Sequence, residues 1–95
     1  MAEYRTHMRI IGDILHTTRD ELQDDDGASV TYLIRKANIP HARISRILTT
    51  LVSQGLLEQV GDSGPSKYRI SQSGREFLQA YQSFSKFVDN FGLTI

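Results

Sequence analysis

Arg43 and Arg46 are followed at helical spacing by Thr49, Thr50 and Ser53, and Lys67 and Arg69 alternate with Tyr68 and Ile70. A guanidinium fork donates to two acceptors at once, which suits a guanine edge or a phosphate, and hydroxyl and ammonium groups supplement it. Side chains of these types on one helix and one strand offer recognition of a polyanion. The local charge agrees. Between Gly27 and Arg75, seven cations (Arg35, Lys36, Arg43, Arg46, Lys67, Arg69 and Arg75) face two acids (Glu58 and Asp62), an excess of five in a chain of net charge zero. Residues 1–26 carry the opposite balance, −4, and the last twenty residues carry −1. Such segregation can turn one face toward a polyanion and keep another away.

Bond-making chemistry finds no comparable set. The chain has no cysteine, no nucleophile elbow and no phosphate-binding glycine loop, so the expectation is a non-enzyme without a cofactor. His7, His16 and His41 lack metal-ligand spacing. Asp24-Asp25-Asp26-Gly27 lacks the alternating ligands and terminal glutamate of a calcium loop, and the run reads as a solvated acidic segment. His41, at the start of the arginine-bearing helix, is positioned to donate to a phosphate.

The elements that must position these groups follow from periodicity. Tyr4, Met8, Ile11, Ile14 and Leu15 repeat at helical steps and predict a first helix that loses its pattern by Arg19–Asp26. Ser29 is a natural N-cap for a second helix with Tyr32, Leu33, Ile34 and Ala37 on its core face. Asn38-Ile39-Pro40 ends that helix, and Pro40 suits the first turn of the next. There Ile44, Ile47, Leu48 and Leu51 form the core stripe, with Val52 on its margin; Ala42, Arg43, Arg46, Thr49, Thr50 and Ser53 lie opposite.

Gly55 stops this third helix, and Leu57-Glu58-Gln59-Val60 reads as a half-buried strand. The turn Gly61-Asp62-Ser63-Gly64-Pro65 leads to a second strand, in which Tyr68 and Ile70 face the core and Lys67 and Arg69 face away. Ser71 caps a last helix. Along it, Phe77, Tyr81, Phe84, Val88 and Phe91 fall at steps of four and three, a short heptad seam ended by Gly92 and expected to join two copies of the chain. No apolar run approaches the roughly 20 residues that span a bilayer, and no signal peptide is evident, so a cytoplasmic, nucleoid-associated protein without membrane contact is expected.

Helix, tight turn, helix, then strand, turn, strand and a capped helix is the order of a winged helix-turn-helix. The fold class is mainly α with a small β-hairpin: three helices plus a wing, and a C-terminal dimerisation helix. Two runs carry a resemblance to the winged-helix DNA-binding superfamily, Leu51-Val52-Ser53-Gln54-Gly55-Leu56-Leu57 and Tyr68-Arg69-Ile70-Ser71-Gln72-Ser73-Gly74-Arg75. The chain is most similar to the small archaeal homodimeric members, whose C-terminal helices pair as an antiparallel coiled coil. The resemblance implies a winged helix over residues 1–70 (helix-turn-helix 30–55, wing 56–70) and a dimerisation helix over 71–92. It also implies a homodimeric transcriptional regulator on double-stranded DNA, with the recognition helix 41–54 in the major groove and the wing 57–70 on the backbone.

The expected DNA-binding residues are Arg35, His41, Arg43, Arg46, Thr49, Thr50, Ser53, Lys67 and Arg69; Lys36 has an equal claim to be ordinary solvated surface. The expected dimer interface is Phe77, Tyr81, Phe84, Val88 and Phe91. Relative to the archaeal proteins, the chain has no basic N-terminal extension, which favours site-directed binding over coating of DNA. Alternatives are an architectural DNA-binding protein, a protein-interaction module on the same scaffold, and a regulator holding a small molecule near Tyr4, Met8, Tyr81 and Phe84.

Overall fold

Residues 6–20, 27–60 and 67–93 are described by a computed structural model. Through them the chain runs α1 (His7–Arg19), β1 (Ala28–Ser29), α2 (Val30–Ala37), α3 (His41–Ser53), β2 (Leu57–Val60), β3 (Lys67–Ile70) and α4 (Gln72–Asn90). The strands form an antiparallel sheet of order β1-β3-β2. β2 and β3 are the expected hairpin, with Leu57 opposite Ile70 and Val60 opposite Lys67. β1 is an addition to it: two residues are too few to show alternation, yet Ala28 is buried and pairs with Tyr68.

Side chains start three of the helices. Thr6, Ser29 and Ser71 accept from the amides of Arg9, Tyr32 and Gly74, each satisfying a first-turn N–H that the helix itself cannot. The turn between α2 and α3 is made by Asn38 in the left-handed region at φ 56°, one residue ahead of the pre-proline position. Pro40 is the N-cap of α3 and not its first helical residue.

α3 and α4 end in the same way. In α3 the amide of Leu56 donates to Leu51 O at 2.9 Å and that of Gly55 to Val52 O at 3.0 Å. In α4 the amide of Leu93 donates to Val88 O at 3.1 Å and that of Gly92 to Asp89 O at 3.0 Å. Both are Schellman closures, with Gly55 and Gly92 at positive φ where a β-carbon would be strained.

The core is one cluster drawn from every helix. Ile44, Ile47, Leu48 and Leu51 of α3 meet Leu33 and Ala37 of α2, Ile39 of the turn, Leu57 and Ile70 of the sheet, and Leu78 of α4. On α1 the buried stripe differs from the expected one: Ile10, Ile14 and Leu15 are enclosed, Ile11 is only partly covered, and Met8 is exposed. Tyr4 lies outside the described residues. α4 meets α1 on the face of Gly12, which lies against the Tyr81 ring, and Met8 one turn earlier on that face borders an open groove with Tyr81 and Phe84, while Ile10 and Ile14 point into the common core. Thr18, also buried, donates its hydroxyl to Ile14 O at 2.7 Å and so carries no unsatisfied group into the core.

The aromatic seam of α4 divides. Its inward stripe is Gly74, Leu78 and Val88, buried, with Tyr81 and Ser85 half-buried, whereas Phe84, Phe87 and Phe91 stand outward, more than half exposed. Phe77 lies between the two and packs against the core. α4 also belongs to the core of the protomer, since Leu78 is fully enclosed within it.

Candidate nucleic-acid interface

α3 sorts its side chains into two faces. Ile44, Ile47, Leu48 and Leu51 are buried, while His41, Ala42, Arg43, Arg46, Thr49, Thr50 and Ser53 are all exposed. The helix is thus anchored by its apolar stripe, and every side chain expected to reach a groove stands on the solvent side. Pro40 supplies no side-chain cap, and the first turn contains no acid, so the positive end of the helix dipole is not neutralised from within and lies beside His41 and Arg43. The hydroxyls of Thr49 and Thr50 donate to the carbonyls of Ser45 and Arg46, at 3.1 and 3.2 Å.

Arg35 and Lys36 are exposed in the last turn of α2, where cations complement the carbonyl end of the helix. In the wing, Arg69 is exposed and Lys67 half-buried. The antiparallel register sets Glu58 of β2 directly opposite Arg69, a neighbour that sequence reading omitted and that lowers the positive potential of the hairpin. Strand alternation and a fixed register would have revealed the pair, but the length of the turn left the register open. The hairpin tip, residues 61–66, lies outside the described residues, as does the acidic run 21–26.

Ser71 joins the two candidate elements. Its hydroxyl donates to Gly55 O at 2.6 Å and accepts from Gly74 N at 2.9 Å, while its amide donates to Leu56 O at 3.2 Å. One residue therefore ties the exit of α3 to the end of the wing and the start of α4. The two runs that carry the resemblance touch each other here.

This arrangement, an anchored helix with a polar outer face running into a β-hairpin, matches the winged helix-turn-helix family model over residues 4–88. The chain belongs to the winged helix-turn-helix family. Among solved structures it is similar to Sso10a-2, a DNA-binding protein from Sulfolobus solfataricus, at 24% identity and a TM-score of 0.78, over 92% of this chain and 85% of that one. It is also similar to AF1382 from Archaeoglobus fulgidus, at 16% identity and a TM-score of 0.68, over 86% and 89% of the two chains. A protein of Ralstonia eutropha JMP134 matches at 20% identity and a TM-score of 0.61, over 77% and 94%. No curated protein matches the sequence.

Between α1 and α4, Met8, Phe77, Ala80, Tyr81 and Phe84 line an open apolar groove of about 290 Å³. Three of them, Met8, Tyr81 and Phe84, are residues that the sequence grouped there. Burial pushes the Tyr81 phenol above its ordinary value; Arg9 opposes this, and Asp13 and Asp89 add to it. Phe87 and Phe91 stack edge to face, ring centres 5.1 Å apart, on the adjoining exposed face. Among the described residues no group of three or more His, Cys, Asp or Glu side chains could hold a metal ion, and no helix is long and apolar enough to cross a membrane. His16 forms a surface pair with Asp20 at 3.3 Å.

Proposed function

We propose that this winged helix-turn-helix protein binds duplex DNA in a sequence-directed way as a homodimeric transcriptional regulator, with α3 in the major groove and the β2–β3 hairpin on the phosphate backbone. The observation that carries the reading is the outer face of α3. Arg43, Arg46, Thr49, Thr50 and Ser53 are exposed together on a helix whose four apolar residues are all buried. A helix-turn-helix offers its second helix to the major groove, and arginine is the side chain that most often reads guanine there. The fold shared with Sso10a-2, itself a DNA-binding protein, supports the same reading.

Dimerisation accounts for the aromatic face of α4. Phe84, Phe87, Phe91 and Leu93 are each more than half exposed, an apolar surface continuous with the groove at Met8 and Tyr81. Patches of this kind mark association surfaces, and a second copy bringing the same face supplies a self-complementary cover. Two recognition helices on one dimer would address a two-part site.

Replacement of Arg46 tests the reading. Arg46→Ala is expected to lose about 1–3 kcal/mol of binding to the preferred duplex and to relax discrimination at one base position. Binding of every duplex as tightly as the parent would overturn it.

A further inference from the structure

We infer that Thr49 and Thr50 make α3 a reader of A·T base pairs through the thymine methyl group, placed beside the guanine addressed by Arg46. This rests on the proposed placement of α3 in the major groove and names the base composition that its central turn selects.

A threonine hydroxyl has one proton and two lone pairs. In both residues the proton is committed inward: Thr49 Oγ1 donates to Ser45 O at 3.1 Å and Thr50 Oγ1 to Arg46 O at 3.2 Å. What each exposed side chain then offers outward is a Cγ2 methyl and an acceptor oxygen. The major-groove edge of guanine presents acceptors only, N7 and O6, and faces such an oxygen with like charge. Cytosine presents a donor at N4 but no methyl. An A·T pair presents both complements, the thymine C5-methyl for Cγ2 and the adenine N6 amino group for Oγ1. To donate to guanine instead, either hydroxyl must first give up its bond to the helix backbone.

The spacing fits a composite step. At 1.5 Å rise per residue, Thr49 and Thr50 lie about 4.5–6 Å along the helix from Arg46, a distance of one to two base pairs at about 3.4 Å each. Arg46, an obligate donor, takes guanine, and the two threonines take the pair beside it.

The test starts from duplexes recovered from a random pool by the full chain. In the enriched site each dT is replaced singly by dU, which removes the methyl and nothing else. At contacted positions the parent is expected to lose about fourfold in affinity per methyl. The double variant Thr49→Ser/Thr50→Ser keeps the hydroxyls and is expected to bind dT and dU duplexes equally. Thr49→Val/Thr50→Val keeps the methyls and should retain the dT over dU preference. Both positions are exposed, so the fold is expected to persist, and circular dichroism checks it. An enriched site in which dU binds as tightly as dT, or in which no A·T pair adjoins the guanine, overturns this inference and leaves sequence-directed binding standing. Binding without enrichment overturns both.

Discussion

Gly74, in the first turn of α4, packs against the carbonyl oxygen of Leu56 at the exit of α3 so closely that a β-carbon would overlap it. The neighbouring amide of Ser71 donates to that same carbonyl at 3.2 Å. The contact fixes where α4 leaves the winged helix, and with it how the exposed aromatic face is set relative to the recognition helix.

Because the obstacle is backbone and not a movable side chain, Gly74→Ala is expected to destabilise the fold by about 2–3 kcal/mol, even though alanine favours a helix by about 1 kcal/mol over glycine. Ser71→Ala removes an N-cap and the bond to Gly55 O, at a cost of about 1–2 kcal/mol. Urea denaturation of the two variants beside the parent gives both values.

Two turns further along the same inward face of α4, Tyr81 packs against Gly12 of α1, where a β-carbon would stand 2.5 Å from Cε2 of the ring. The half-buried phenol, partly desolvated, holds its proton to higher pH than the same group in the unfolded chain. Below the ordinary tyrosine value of about 10 its contribution is fully present. As pH rises from there through the raised folded value, the folded state binds more protons than the unfolded one and stability falls. Tyr81→Phe is expected to remove this part of the alkaline loss. Denaturation at about pH 8 and about pH 11 should show the parent losing more stability than the variant.

Much of this was legible in the sequence for physical reasons that differ by element. α3 was readable because four aliphatic side chains fall on one stripe of a regular helix and all its polar groups fall on the other. Its stop was readable because Gly55 can take positive φ at no steric cost. In the sequence α4 presents a single seam, since Phe77, Tyr81, Phe84, Val88 and Phe91 keep a regular heptad step. Only packing shows that Gly74, Leu78 and Val88 are drawn inward while Phe84, Phe87 and Phe91 are left outside. β1 was illegible because a two-residue strand has no period, and the Glu58–Arg69 pairing because register is a property of two strands together. Nor could spacing show that the Thr49 and Thr50 protons turn back onto their own helix.

The outward aromatic face gives a prediction free of folding effects. Phe84 and Phe91 are 55% and 67% exposed, so Phe84→Asp/Phe91→Asp is expected to leave secondary structure and the urea midpoint of the dissociated chain nearly unchanged. It should convert a dimer to a monomer in analytical ultracentrifugation. Val88→Asp, by contrast, places a charge at a buried position and is expected to destabilise the protomer itself.

Charge in the wing should act on all sequences alike. Arg69→Ala is expected to weaken binding uniformly and to reduce the salt slope by about one. Glu58→Gln removes the acid opposite Arg69 and should strengthen binding to every duplex without changing which sequence is preferred. Titrations of specific and random duplexes with both variants separate this from base reading.

Binding of the purified protein to random-sequence duplex DNA across a salt series, with recovery and sequencing of the bound fraction, decides whether this protein reads DNA. Affinity is expected to fall steeply with salt, with enrichment of a two-part site whose halves each carry a guanine. Absence of binding even at low salt would contradict this and would assign the exposed faces of α3 and α4 to protein partners.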